Sequence, residues 1–431
     1  MTAVNLDLLI AEASVVLTCN EQEQVLTNVS IGIRDGRIAH IGDVLPADRV
    51  LQARGHLLMP GLVNLHTHLA MTLLRGIAEN VDLQGFLALV WAEEARVMNE
   101  GGVEVGTRLG AVEALLSGTT TTLDMYFHPD AAHRGAVDVG LRHVTGPLFF
   151  DFPGPDGMEW PQRMAYARAW PQVLADLGGP WVPPALMPHS PLTVGPDRLR
   201  DVAQLARDMG GVLHTHASEN HTENLQTQEK FGARPIALLQ AAGLVGSGTV
   251  IAHGVHLDEA DIATLAAGAS SIAHCPGSNL KLASGAADIV NYYNAGLCVG
   301  IGTDGCASSN DLDMFAAMRL AANLARLVRQ DPAAISAARV LQAATRGGAQ
   351  ALGMADRIGS VEIGKEADLV LLDLAAPHLT PMRDPATAVV FSAGRSDVRH
   401  VIVAGEVVVA NRIPTRVDLA EVIEQARSVT A

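Results

Sequence analysis

Leu62-Val63-Asn64-Leu65-His66-Thr67-His68 is an apolar run of strand length that ends in two histidines one residue apart. Successive side chains of a strand point to opposite faces, so both imidazoles project to one side of an extended chain and can share a cation. The same design recurs downstream, where short apolar runs end in His216, His253 and Asp304. Counting outward, strand-like runs are predicted at 62–66, 119–125, 143–150, 182–189, 212–216, 249–253, 271–274 and 298–304, eight in all, separated by helical stretches. One of these, 102–116, stops at Gly118 and leads into Thr119-Thr120-Thr121-Thr122-Leu123-Asp124-Met125. Strands alternating with helices argue for βα units on a parallel sheet, and eight of them for a (β/α)8 TIM-like barrel.

The two ends of the chain have another texture. Val29-Ser30-Ile31-Gly32-Ile33 and Arg37-Ile38-Ala39-His40-Ile41 alternate around Asp35-Gly36, a hairpin turn signal, and alternation returns in 367–372 and 401–409, where Gly405 supplies the turn. A small β-sandwich domain built from both ends, 1–58 and 358–431, is therefore expected around a barrel of 59–357. The class is α/β.

Composition narrows the partners. Hydrophobic residues make up 48% of 431, enough for a large core, and 46 acidic against 30 basic residues leave a net charge of −16. No cluster of lysine and arginine could follow a phosphate backbone, so neither nucleic acid nor an anionic membrane is an expected partner. No apolar run reaches the roughly 20 residues of a membrane-spanning helix. The N-terminal MTAVNLDLLIAEASVV lacks the basic flank and cleavage site of a secretion signal. Cys19, Cys275, Cys298 and Cys306 show no CxxC spacing, which fits free thiols and a cytoplasmic location.

In a barrel, polar residues at the C-terminal strand ends build the active site. His66, His68, His216, His253 and Asp304 all stand there, and three imidazoles with one carboxylate suit zinc or a similar borderline metal. His214 shares a strand face with His216 and competes with it as a ligand. His256 competes with His253, which closes its apolar run. The zinc deaminase signature of HxE with PCxxC is absent.

Pro60-Gly61-Leu62-Val63-Asn64-Leu65-His66-Thr67-His68, the HxxE unit from His216 to Glu219, and Gly302-Thr303-Asp304-Gly305 resemble the metal-dependent amidohydrolase superfamily, in its aminohydrolase branch. Met71-Thr72-Leu73-Leu74-Arg75-Gly76, Asp124-Met125-Tyr126-Phe127, Pro188-His189-Ser190-Pro191 and Ser278-Asn279-Leu280-Lys281-Leu282 are most similar to the S-adenosylhomocysteine and 5′-methylthioadenosine deaminases within it. The resemblance implies one divalent ion, zinc with iron or manganese as substitutes, on His66, His68, His216 and Asp304. A two-metal site would need a bridging lysine on the fourth strand, and Lys230, Lys281 and Lys365 all lie elsewhere.

The resemblance also implies roles. Asp304 takes a proton from water, His253 orients the nucleophile, and Glu219 protonates the ring nitrogen beside an amino-bearing carbon, so that ammonia leaves. Glu94, His189 and Ser308 are implied substrate contacts, Glu94 through ribose hydroxyls. Residues 143–151 carry no arginine where the branch holds the distal part of a larger nucleoside. The expected partner is thus a small heteroaromatic molecule, an adenosine-type nucleoside first. A free base, a pterin, an s-triazine, and dechlorinating or dealkylaminating hydrolysis are the alternatives. A non-catalytic scaffold is the alternative of another class, although such relatives lose metal ligands and none is lost here. Homo-oligomers, dimers or tetramers, are implied as well.

Overall fold

The computed structural model describes residues 6–81 and 83–431, so the first five residues of the expected sandwich segment lie outside the described residues. In chain order the strands are β1 (Leu6–Leu17), β2 (Val25–Arg34), β3 (Arg37–Gly42), β4 (Ala47–Gln52), β5 (His56–Pro60), β6 (Leu62–His68), β7 (Thr119–Asp124), β8 (Arg142–Val144), β9 (Leu148–Phe149), β10 (Ala185–Pro188), β11 (Val212–Ala217), β12 (Thr249–His253), β13 (Ser271–His274), β14 (Cys298–Ile301), β15 (Asp304–Gly305), β16 (Leu369–Asp373), β17 (Val398–Val403), β18 (Glu406–Ala410) and β19 (Ile413–Pro414).

Strands from both chain ends form one nine-stranded sheet, in the order β19-β18-β17-β16-β5-β1-β2-β3 with β4 beside β1. The Asp35-Gly36 hairpin closes β2 on β3 with both turn residues at positive φ, 51° and 73°. The middle of the chain forms two parallel sheets, β14-β13-β12-β11-β10-β9 and β15-β6-β7-β8. Their strands alternate with helices in the manner of a TIM-barrel-type α/β fold. Both faces of these strands are buried. Val63, Met187, Val212, Val250 and Ala273 join one apolar cluster, while their chain neighbours Leu62, Leu186, Leu213, Ile251 and Ile272 join another. That split is the period-2 alternation of a sheet covered on both sides.

The predicted strands are present but shorter at several ends. The expected 143–150 run divides into β8 and β9 around Thr145-Gly146-Pro147, because Pro147 has no N–H to give a ladder and Gly146 presses on the next strand. A Cβ at Gly146 would lie 1.8 Å from the Ala185 carbonyl oxygen. The 182–189 run begins only at Ala185, after Pro183-Pro184. The 298–304 run divides into β14 and β15 where Thr303 turns its N–H to Asn64 Oδ1 at 3.0 Å. The predicted helix at 102–116 starts earlier, at Glu100, because Asn99 caps it by accepting the Gly102 N–H.

A buried ion pair ties the parallel sheets to the nine-stranded one. Arg142, at the start of β8, meets both oxygens of Asp368 at 2.9 Å, Glu366 at 2.6 Å and the Trp181 carbonyl at 2.7 Å. Asp368 stands immediately before β16, so this guanidinium holds the C-terminal strands to the edge of the middle layer. Among the described residues, no helix is long and apolar enough to cross a membrane. The four cysteines are free thiols.

Candidate active site

The C-terminal ends of β6, β11, β12 and β15 converge. His66 Nε2 and His68 Nε2 lie 3.3 Å and 3.2 Å from Asp304 Oδ1. Ligand atoms of His66, His68 and His216, and of His66, His253 and Asp304, gather within 4.8 Å of one another. Backbone conformation is strained at the same place: Ser218, His253 and Asp304 are non-glycine residues with φ of 55°, 69° and 61°. Such positive values persist only where surrounding bonds over-determine them, and they are typical of functional sites.

Hydrogen-bond partners decide which nitrogen each ring presents. His68 Nδ1 donates to the Met125 carbonyl at 2.6 Å and His216 Nδ1 to the His189 carbonyl at 2.8 Å. A carbonyl only accepts, so in the neutral form of each ring the lone pair is on Nε2. His214 donates from Nδ1 to the Val250 carbonyl at 3.0 Å, which leaves its Nε2 to accept from His66 Nδ1 at 2.7 Å. His66 Nε2 is then a lone pair too, buried and without a hydrogen-bond partner. The choice between His214 and His216 resolves in geometry: His214 stands behind His66 and orients it, while His216 faces the cluster. His256 points away and meets the Ser284 carbonyl at 2.5 Å.

These lone pairs and one carboxylate compete for positive charge. Burial carries His66 down to about 4 and His216 well below the usual imidazole range. Burial opposes charge on His68 as well, but hydrogen bonding to Asp304 and its negative charge outweigh it and lift His68 to about 9. Imidazole nitrogens gathered with a carboxylate oxygen, in two groups that share His66, are the donor types of a zinc-type ion, and the other nitrogen of His66, His68 and His216 already has the hydrogen-bond partner that orients a ligand. The residues present fit such an ion.

A cavity opens from this cluster to solvent. Glu219, His253, Asp304, Glu94 and His189 all line it. Burial pushes the Glu219 carboxyl above the usual range. His253 Nε2 lies 3.9 Å from Glu219 Oε2, and its Nδ1 bonds Asn279 Oδ1 at 3.0 Å. Glu94 is raised to about 7 by burial and accepts from the Tyr126 hydroxyl at 2.7 Å. His189 rests its ring 4.7 Å from that of Phe150, with Nδ1 on Thr193 Oγ1 at 3.0 Å. Ser308 is not brought to the lining. Its hydroxyl donates to Asp304 Oδ2 at 2.8 Å, because the helix Cys306–Ser309 turns it back under the strand end.

Three functional residues carried no role in the sequence reading. Asn279 holds His253, and Tyr126 holds Glu94, though both stand inside stretches singled out for resemblance. Glu223, in the first turn of the helix His221–Phe231, lines the cavity and accepts the Glu219 N–H at 2.7 Å. Its place four residues after Glu219 was the available signal.

The chain is similar to known proteins over most of its length. The model of the amidohydrolase family matches residues 57–408. The 5-methylthioadenosine/S-adenosylhomocysteine deaminase of Natronomonas pharaonis is 41% identical, over 91% of this chain and 90% of its own. The solved structure of an adenosine deaminase from Xanthomonas campestris with bound zinc superposes with a TM-score of 0.95 at 36% identity, covering 99% of this chain and 98% of that one. The atrazine chlorohydrolase of Arthrobacter aurescens, solved with zinc, superposes with a TM-score of 0.89 at 27% identity, covering 98% of this chain and 100% of its own. With converging imidazole lone pairs, a buried acid across the cavity and a match over most of its length, this chain belongs to the amidohydrolase family and is a hydrolase acting on C–N bonds.

Proposed function

We propose that this protein hydrolytically removes the amino group from the purine ring of an adenosine-type nucleoside, 5′-methylthioadenosine or a close analogue, and releases ammonia. One observation carries the reading: three oriented imidazole lone pairs and Asp304 face a buried Glu219 whose carboxyl is held above its usual range. His66, His68, His216 and Asp304 would hold one divalent ion, with zinc the fitting choice. When bound, such an ion lowers the pKa of a water it holds to about 7 and so supplies a nucleophile at neutral pH.

The chain's own residues do the rest. Asp304, kept in place by the Gly305 N–H and the Ser308 hydroxyl at 2.9 Å and 2.8 Å, takes up the water proton and hands it to the departing amino group, which leaves as ammonia while the hydroxyl proton of the new ring oxygen restores Glu219. Glu219, whose carboxyl burial holds above its usual range, gives a proton to the ring nitrogen beside the amino-bearing carbon, which makes that carbon electrophilic. His253, fixed by Asn279, orients the attacking oxygen and stabilises the charge that develops on it. Glu94 accepts the ribose hydroxyls, and His189 stacks beside the ring. The supporting architecture is one closed (β/α)8 barrel, residues 59–357, in which β8 with β9 and β14 with β15 are halves of single strands. Residues 1–58 and 358–431 make the β-sandwich domain.

Purified, zinc-loaded protein is tested against methylthioadenosine, adenosine, guanine, aminopterins and triazines with ammonia as the readout. Release from the nucleosides is expected, falling at least about 100-fold in kcat for Glu219→Gln, as loss of a general acid does. Glu94→Ala should mainly raise KM. Release only from free bases or triazines, or of chloride in place of ammonia, would overturn the substrate assignment.

A further inference from the structure

The proposed reaction asks one buried acid, Glu219, to meet a ring nitrogen, yet its own carboxyl is not tied down. Among the described residues that carboxyl makes no hydrogen bond, and its nearest charged neighbour, His253 Nε2, lies 3.9 Å away. The aim of Glu219 therefore rests on the backbone that carries it. That backbone is short: Glu219 stands between Ser218, at a positive φ of 55°, and Asn220, which caps the helix His221–Phe231 by accepting the Glu223 N–H at 2.8 Å. Just beyond β12, the N–H groups of Val255 and His256 pin the Ser218 carbonyl, both at 2.9 Å. Among the described residues the Glu219 N–H has one partner, Glu223 Oε2 at 2.7 Å.

A carboxyl is an unusual group to bury for a turn alone. An acid in the first turn of a helix ordinarily reaches back to the N–H of the cap residue. Glu223 reaches past Asn220 to Glu219, and it is only 6% exposed. No lysine or arginine is among the charges that act on it, and its Oε1 is buried without a hydrogen-bond partner. A buried acid without a cation costs stability, and folded proteins depart from such rules chiefly at functional sites. The positive φ of Ser218 is a second departure within the same few residues.

Resting on the deaminase reading, we infer that Glu223 is the positioning residue of the general acid: it clamps the Glu219 N–H, holds the Ser218–Asn220 turn in one conformation and so aims the Glu219 carboxyl at the ring nitrogen. The clamp needs an acceptor at the end of a side chain of this length. Without it the turn is free, and a misplacement of about 1 Å in a reacting group costs up to about 100-fold in rate.

The test is a double-mutant cycle on the protein at full zinc occupancy, read as kcat and KM with methylthioadenosine. Glu223→Ala should lower kcat about 10–100-fold with KM within about threefold of the parent. Glu223→Asp, too short to reach the N–H, should match it, and takes its place in the cycle where Glu223→Ala does not fold. Glu223→Gln, whose amide oxygen accepts the same N–H, should be at least about fivefold faster than Glu223→Ala. In a Glu219→Gln background Glu223→Ala should cost less than about twofold, since an acid that is absent cannot be misaimed. A merely structural role carries its full factor into that background. A full factor there, or Glu223→Ala and Glu223→Asp at the parent kcat, would overturn the inference. If the parent releases ammonia from no ring, the deaminase reading falls, and amide hydrogen exchange decides the clamp. Exchange at the Glu219 N–H at least about tenfold faster in Glu223→Ala upholds it, and equal exchange overturns it.

Discussion

Asp124→Asn tests how the proposed metal-binding end of β6 is held. Asp124 is fully buried and uses both oxygens: Oδ1 accepts the Leu69 N–H at 2.9 Å, next to His68, and Oδ2 meets His143 Nε2 at 2.9 Å. His143 Nδ1 lies 3.3 Å from His133 Nδ1, and His133 Nε2 reaches the Gly178 carbonyl at 3.1 Å. The carboxylate only accepts, so His143 Nε2 donates to Asp124. An asparagine that keeps the Leu69 contact on its oxygen turns an NH2 group toward that donor, so one link of the chain breaks. The Met125 carbonyl that orients His68 follows directly in sequence and loses its anchor. Weakening of a ligand's supporting shell costs about 10–100-fold in metal affinity, or about 1.4–2.7 kcal/mol. Zinc affinity measured by chelator competition should fall by that factor, while the metal-free protein melts within a few degrees of the parent. A folded variant whose affinity changes less than about threefold would refute the reasoning.

Two further outcomes concern stability. Arg142→Met should cost about 3–5 kcal/mol, because it leaves Asp368 buried without its cation, and an unfolding entropy of about 2.1 cal/mol/K per residue converts this to a drop of roughly 3–6 °C in calorimetric Tm. A shift under about 1 °C would show that the buried pair contributes nothing net. Burial, reinforced by His143, lowers His133 to about 4. The unfolded chain therefore binds a proton that the folded one refuses between about pH 6.5 and 4. This contribution is whole above pH 6.5 and fades as pH falls toward 4, by at most about 3 kcal/mol. Urea unfolding at pH 7.5 and 4.5 should show a smaller acid loss in His133→Gln than in the parent, and equal losses would remove His133 from the account.

Much of the site was legible along the chain because its ligands stand at the ends of short apolar strands, where local periodicity places them. His66 and His68 share a face by period 2 alone, and Glu219 follows His216 at the spacing that carries it from strand end to helix start. The α/β class followed from the same local patterning, since an apolar strand and its following helix are read from neighbouring residues. Strand ends were less legible where a distant partner intervened: β8 parts from β9 because Gly146 presses on Ala185, and β14 parts from β15 because Thr303 turns to Asn64.

Only the tertiary structure chose between His214 and His216. Both lie on one strand face, and the difference is that His214 finds the Val250 carbonyl and His66 as partners, residues far away in sequence. It likewise moved Ser308 from the substrate to Asp304, and joined His133 and His143 to Asp124. The sequence by itself determined which residues could bind a metal, move a proton or bury a face, because those properties belong to side chains and their local spacing. Which lone pair faces the cavity, and which acid burial holds above its usual range, depended on partners that folding brought together from distant strands.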